Sequence, residues 1–341
     1  MKKSVVIVVA AALVLGLTSC GDKVTDVVIV YSRGGLCTAP LQIAEVNGYY
    51  KEEFDAVGAT YSFQEVDPGT SFEVIGAGKA NASATLSAST VPAIDNGLAI
   101  AFTSGLHTGC TKYLVRADSA IKTIDDLRGA KVGFLGAGDS AYVNLKRILA
   151  ERGFKVSGAD ADIEAVIYTE QDMPLALENG AIDLACLHDP AAYIAKEEFG
   201  FRVLIDTLTD PKFSSEYCCQ SYVSMKLAHE KPRAAAAYTR AIMKASAFVK
   251  ANPEETARLQ VQHHYVLGDA ATNAQVLKLL NYEPSVKLAQ LTIKNIASEM
   301  KGIGELKAAD AERFAAEHFI TFDDVPESYI WHSDGTFEEV W

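Results

Sequence analysis

The sequence has no glycine-rich phosphate loop closed by a lysine, no His-Glu-x-x-His pair and no Gly-x-Ser-x-Gly elbow. The signatures of nucleotide hydrolysis, zinc proteolysis and serine hydrolysis are therefore missing. Positive charge is scarce: 31 Lys and Arg stand against 44 Asp and Glu, a net charge of -13. An acidic surface with the two signs interspersed repels phosphate backbones, which argues against nucleic acid as a partner. The chain shows no internal repeat and no low-complexity segment. After the first twenty residues no apolar run is long enough to span a hydrocarbon core of about 30 Å. Cysteine is sparse, six in 341 residues. A chain of this length, nearly half hydrophobic, buries one large core or two medium ones and needs no disulfide staples.

What is there begins with Lys2 and Lys3, an unbroken apolar stretch from Val5 to Leu15, and Gly16-Leu17-Thr18-Ser19-Cys20. This is the layout of a secretory leader. Leu17-Thr18-Ser19-Cys20 resembles the bacterial lipobox. The resemblance implies removal of residues 1–19, acylation of Cys20, and a chain anchored by that lipid to the outer face of the cytoplasmic membrane. Five cysteines remain: Cys37, Cys110, Cys186, Cys218 and Cys219. The odd number leaves at least one thiol unpaired, and adjacent Cys218 and Cys219 are poorly placed to pair with each other.

Along the rest of the chain, short β-branched runs alternate with helical periodicity. Val27–Tyr31 reads as a buried parallel strand entering a Ser-Arg-Gly-Gly loop, followed by a helix over 39–50. Strands near 61–66, 82–86 and 99–103 alternate with helices near 71–78 and 90–96, the pattern of a βαβ sheet. A second set runs from Tyr113–Arg116 through Phe201–Ile205. Tyr222–Met225 is expected to carry the chain back, and from Lys231 onward nearly everything is helical, with Pro232 and Pro253 at helix starts.

Three stretches resemble the nitrate/sulfonate/taurine and thiamine-precursor binding proteins of ABC importers. They are Pro40-Leu41-Gln42-Ile43-Ala44-Glu45-Val46-Asn47-Gly48-Tyr49-Tyr50-Lys51-Glu52-Glu53, Ile124-Asp125-Asp126-Leu127-Arg128-Gly129-Ala130-Lys131-Val132-Gly133, and Ala176-Leu177-Glu178-Asn179-Gly180-Ala181-Ile182-Asp183-Leu184-Ala185. The resemblance implies an α/β, two-lobed, type II periplasmic-binding fold, each lobe a mixed sheet flanked by helices. The expected division is residues 20–115 with 225–341 for lobe 1, including the C-terminal helices, and 116–224 for lobe 2. A small solute would sit in the interlobe cleft at the carboxyl ends of the parallel strands, and hinge motion would close it.

Carrying the family's contact loops onto this sequence gives Arg33, Gly35, Cys37, Ser87, Ser89, His107, Cys110, Asp139, Ser140, Asp189 and Cys219 as solute-facing residues. Asp139 and Ser140 mark a helix start, which suits either an anion at the exposed amides or an ordinary cap. Asp189 suits an amine or cation, or a helix cap. Arg33 suits a carboxylate, sulfonate or phosphate. Unlike its relatives, this chain places Cys37, Cys110 and Cys218-Cys219 in cleft loops, with His107 three residues before Cys110. Cys37, His107, Cys110 and Cys219 are weak candidates for a thiophilic metal, against small buried hydrophobes or a disulfide from Cys110 to Cys37 or Cys219.

The expected function is capture of a small molecule without chemistry, by a monomer that needs no cofactor and hands its solute to an ABC permease and its ATPase. Two other classes compete: a membrane-anchored ligand sensor, and an enzyme like the fungal-type thiamine-pyrimidine synthase, which shares the fold and uses iron with a longer cysteine motif.

Overall fold

The computed structural model describes residues 26–341 apart from 68–69, 137 and 267. The leader and Cys20 lie outside the described residues. The first lobe is laid down as β1 (Val27–Tyr31), α1 (Ala39–Val46), α2 (Tyr49–Val57), β2 (Tyr61–Glu65), α3 (Ser71–Gly76), β3 (Ala82–Leu86), α4 (Ser87–Asp95) and β4 (Ile100–Thr108). The chain then crosses into β5 (Thr111–Val115), β6 (Lys131–Phe134), α5 (Ser140–Glu151), β7 (Glu164–Ile167), α6 (Met173–Glu178), β8 (Leu184–His188), α7 (Ala191–Phe199) and β9 (Arg202–Asp206). β10 (Tyr217–Ser224) returns to the first lobe. It is followed by α8 (Met225–Glu230), α9 (Pro232–Ala251), α10 (Pro253–Gln262), α11 (Ala270–Leu279), α12 (Val286–Gly302) and α13 (Ala311–Glu317), and by the hairpin β11 (Ser328–Trp331) and β12 (Phe337–Val340).

The two five-stranded sheets are built alike. The first has the order β2-β1-β3-β10-β4 and the second β7-β6-β8-β5-β9. In each, three parallel strands are joined to one antiparallel strand, β10 or β5, that has an outer partner beside it. Both antiparallel strands begin at a crossing between the lobes. β10 therefore belongs to the first sheet and β5 to the second.

The burial explains why the strands read as they do. Val27, Ile29 and Val30 are shielded on both faces of β1, and all nine residues of β4 are buried. Near-continuous apolar strands are what a sheet covered on both faces requires. One layer of the first lobe packs α1, α2 and α9 around Tyr50, whose ring centre lies 6.4 Å from that of Phe54 and 6.0 Å from that of Tyr238. The opposite layer packs α4 and α12 on Phe102 and Ile293. The second lobe repeats the scheme, with α5 on one face and α6 and α7 on the other. Each fully buried Ile, Leu or Phe contributes about 1.5–3 kcal/mol, and Val143 of α5 joins the first lobe's α4–α12 layer, so that apolar packing continues between the lobes.

The expected strand at 99–103 proves longer. Ser104-Gly105-Leu106-His107-Thr108, expected as a loop, continues β4 along β10, whose own start at Tyr217 precedes the return expected at 222. Ser, Gly and Thr signal a loop only where water surrounds them, and here a partner strand supplies the backbone hydrogen bonds. Gly105 is required by close approach: a Cβ there would sit 2.1 Å from a ring carbon of Tyr217.

Candidate functional site

Gly109 and Cys110 make the turn between the lobes, at φ of 84° and 89°. Glycine adopts that region freely and cysteine only at a cost. A non-glycine residue held there, fully buried, is a strained position of the kind that gathers at binding sites. The turn delivers the Cys110 side chain into the space where the lobes meet.

Around that side chain the structure gathers thiols and imidazoles from both lobes. Cys110 Sγ is 2.7 Å from Cys218 Sγ and 3.8 Å from His188 Nδ1. The first-lobe Cys37 Sγ lies 3.8 Å from the Asp189 carbonyl of the second lobe. Donor atoms of Cys37, His107 and Cys110 lie within 4.8 Å of one another, as do those of Cys110, His188 and Cys218. Cys219 is fully buried opposite His107 in the β4–β10 ladder. All five described cysteines are free thiols. Cys186 stands apart, in the apolar layer of the second lobe under α5.

Both imidazoles are held by hydrogen bonds. His188 Nε2 lies 3.1 Å from the Asp139 carboxylate, and its Nδ1 lies 3.1 Å from the Thr111 hydroxyl. His107 Nδ1 lies 3.2 Å from the Thr108 carbonyl, which can only accept, so this nitrogen carries the proton and Nε2 keeps its lone pair. That Nε2 is buried without a hydrogen-bond partner. Burial pulls the His188 imidazolium down, but Asp139 together with Cys37 and Glu170 outweighs it and raises the ring above its ordinary value. The Cys110 thiol, then Cys219, hold the Cys37 thiol well below its ordinary value against the opposing effect of burial. Cys110 itself is pushed well above its ordinary value, first by burial.

Ion pairs ring this nest. Lys112 and Asp189 pair in a dry setting, their side chains 5% and 0% exposed. Arg147 of α5, the largest fully buried side chain among the described residues, donates two bonds to Glu216 at 2.8 and 3.0 Å, one to Glu299 at 2.7 Å and one to Asn144 at 2.9 Å. Glu299 belongs to α12 of the first lobe and also takes Lys212 at 2.7 Å. Lys146 pairs with Glu305, again between the lobes. The lobes are thus shut on one another. The remaining slot, lined by Thr111, Asn144, Arg147, Glu216, Tyr217 and Cys218, has room for about one water.

The expected residues divide into three groups. Cys37, His107, Cys110 and Cys219 come together at the nest, and Asp139 reaches it through His188. Ser87 and Ser140 open α4 and α5, helices of opposite lobes that pack together, and their hydroxyls are buried with no partner. Asp139 caps α5 through the Ala141 amide at 3.1 Å. Ser89 donates to its own helix, at the Leu86 carbonyl. Arg33 is half exposed and pairs with Glu65 at 2.8 Å, Gly35 sits in the same partly exposed loop, and Asp189 is occupied by Lys112. Lys112, Arg147, Glu216 and His188 complete the site without having been singled out, together with Cys218, expected in a cleft loop but not among the candidate donors. His188 and Cys218 stood in segments expected to border the cleft, whereas nothing in an amphipathic helix marks Arg147 from any other arginine.

A two-lobed α/β architecture with its polar residues collected at the crossing is the arrangement of a periplasmic-binding protein. The chain belongs to the NMT1/THI5-like family, whose profile matches residues 37–256. A curated Escherichia coli (strain K12) protein named for binding aliphatic sulfonates is 37% identical over 93 residues, 27% of this chain and 28% of that relative. The nitrate-binding protein NrtA from Synechocystis PCC 6803 superposes with a TM-score of 0.68 at 14% identity, covering 92% of this chain and 95% of that one. The alkanesulfonate-binding protein SsuA from Xanthomonas axonopodis pv. citri, solved with MOPS, gives 0.67 at 16% identity, over 87% and 98%.

Proposed function

We propose that the chain is an exported solute-binding lipoprotein that captures a small solute between its lobes and delivers it to the permease and ATPase of an ABC importer, without performing chemistry. The observation that carries this reading is the set of buried polar atoms left without partners where the lobes meet: Ser87 Oγ, Ser140 Oγ and His107 Nε2. Buried polar atoms cost about 1–3 kcal/mol each when unsatisfied, and hydroxyls on the facing helices of opposite lobes, with an imidazole in the nest, suit a ligand that supplies the missing bonds. The family and its architecture support the same reading, as does the leader ending at Cys20, which would be acylated and would hold the chain at the outer face of the cytoplasmic membrane. Domain closure is the signal such a protein offers a permease.

The charge at the junction bears on the solute. Arg147 and Lys112 are each already matched by carboxylates, and Arg33 is paired outside the nest. No basic side chain in this set is left for a sulfonate or nitrate. Titration of the full-length chain in mild detergent with alkanesulfonates, nitrate, pyrimidines, amines and metal ions, followed by small-angle scattering, tests the reading. One class should close the lobes saturably, and Ser87→Ala or Ser140→Ala should weaken an oxygen-bearing solute by about 5–20-fold, the worth of one or two hydrogen bonds. Indifference of the lobes to every class would refute it.

A further inference from the structure

We infer that the thiol and imidazole nest is a binding site for a thiophilic transition-metal ion, held by Cys110, Cys218 and His188 with Cys37 and His107 as the adjoining donors, and that this ion is the protein's cargo. The cargo clause rests on the solute-binding reading above; the binding of the ion rests on the donors alone.

The donor chemistry is of one kind. Thiolate and imidazole select Zn(II), Cu(I) and related ions over Mg(II) or Ca(II), which take oxygen. Buried cysteines commonly serve as small hydrophobes, as Cys186 does in the second lobe, and Cys37, Cys110 and Cys219 likewise border the first lobe's apolar core. What sets them apart from Cys186 is that their donor atoms meet one another and two imidazoles. The other four converge, with two imidazoles beside them, from segments far apart in sequence: the loop after β1, the end of β4, the crossing turn, the end of β8 and the start of β10.

Distances support ligation. With metal–sulfur and metal–nitrogen bonds of about 2.3 and 2.0–2.1 Å, two ligands of a tetrahedral or trigonal ion stand about 3.6–3.8 Å apart. Cys110 Sγ and His188 Nδ1 are 3.8 Å apart. Two sulfurs on the same ion would stand about 3.8 Å apart, whereas Cys110 and Cys218 are at 2.7 Å. A side-chain movement of about 1 Å would therefore seat the ion.

The surroundings also fit. His188 turns Nε2 to the Asp139 carboxylate and Nδ1 toward Cys110, the carboxylate–histidine–metal arrangement, and the Thr111 hydroxyl now 3.1 Å from Nδ1 would rotate away as the ion is seated. His107 turns Nδ1 to a backbone carbonyl and leaves Nε2 bare and buried, the other common way of fixing a ligating imidazole. Both triads share Cys110, so the set accommodates one ion, or two bridged by that thiolate. Cys218 is the partly exposed member and lines the slot. Because His188 ends β8 of the second sheet while Cys218 and His107 lie in β10 and β4 of the first, coordination ties the lobes together.

The experiment uses the full-length chain, purified without oxygen or chelator in mild detergent. It is loaded with Zn(II), Cu(I) or Co(II) and desalted, and metal and thiols are then counted. One or two ions per chain, thiolate-to-cobalt charge-transfer absorption and sulfur scattering near the distances above are expected. Cys110→Ser should lower affinity by at least 100-fold and Asp139→Asn by about 10–100-fold, with Cys186→Ser unchanged. Absorption and scattering on the unaltered chain keep the test decisive if Cys110→Ser misfolds. Oxygen-only coordination, binding that survives Cys110→Ser in a folded chain, or a Cys110–Cys218 disulfide persisting under reducing conditions would overturn the site. Ion binding without change in small-angle scattering would overturn the cargo clause alone. Closure on an organic solute with no metal retained would leave the solute-binding reading standing and remove this one.

Discussion

Replacing Arg147 with methionine separates what holds each lobe together from what holds the lobes to one another. Arg147 is 1% exposed and Glu216, its bidentate partner, 5%. Methionine preserves most of the side-chain volume but leaves Glu216 as a buried carboxylate with only the Asn295 amide, at 3.0 Å, still donating to it. Breaking a dry pair by removing one member costs about 3–5 kcal/mol, mainly the desolvation of the charge left behind. The other partner, Glu299, is 31% exposed and keeps Lys212. Screening limits that contact to about 1 kcal/mol or less.

The midpoint of thermal unfolding should therefore fall by about 6–10 °C, taking about 2 °C per kcal/mol for a long chain. Glu299→Gln should leave that midpoint within about 2 °C and shift the open–closed equilibrium by at most about fivefold. Calorimetry reads the first effect and small-angle scattering the second. Arg147→Met combined with Glu216→Leu should recover most of the lost stability, because an apolar pair of similar size replaces the charges. A double variant as unstable as Arg147→Met alone would refute the assignment of the cost to an orphaned carboxylate.

Three further outcomes follow from the same geometry. Lys112→Met should destabilise by about 3–5 kcal/mol through the fully buried Asp189, and Lys112→Met with Asp189→Leu by much less; chemical denaturation of the pair checks it, and equal losses would count against the ion pair as the cause. Gly105→Ala should cost at least about 1–3 kcal/mol by overpacking against Tyr217, whose ring is held by the hydrogen bond from its hydroxyl to the Glu283 carbonyl; Tyr217→Leu in the same chain should relieve part of it, as thermal melts would show. Chelator treatment of a metal-loaded chain should lower its unfolding midpoint and open the lobes, and an unchanged midpoint would show that the ion contributes nothing to closure.

The sequence made the architecture legible because the fold is written in local patterns. β1 and β8 are short apolar runs, α5 is amphipathic, and the turns after Asn47 and Asn179 carry glycine at φ of 76° and 71°. The ends of β4 and β10 were harder to read. Ser104, Gly105 and Thr108 have loop composition, and only the presence of β10 alongside turns them into a buried strand. The site was legible in part for the same reason. His107 and Cys110 stood out by type, but Arg33, equally eye-catching, is spent on Glu65, while Arg147 and Lys112 acquire their meaning from carboxylates at positions 216, 299 and 189. A sequence records which charges exist and not which have found partners.

That distinction also explains how one architecture can serve chemically different solutes. The segments that carry the family likeness lie mostly in the helices and strands of each lobe, where burial and turn geometry decide the residue. The four converging cysteines and two histidines lie at the ends of those elements and at the crossings, at the edge of the first lobe's core rather than at its centre. Pairing Arg147 and Lys112 with carboxylates removes the positive charge that would draw an anion into the cleft. It leaves lone pairs on sulfur and nitrogen beside the Ser87 and Ser140 hydroxyls as the junction's free chemistry, and sulfur and nitrogen donors favour a soft cation over an oxyanion.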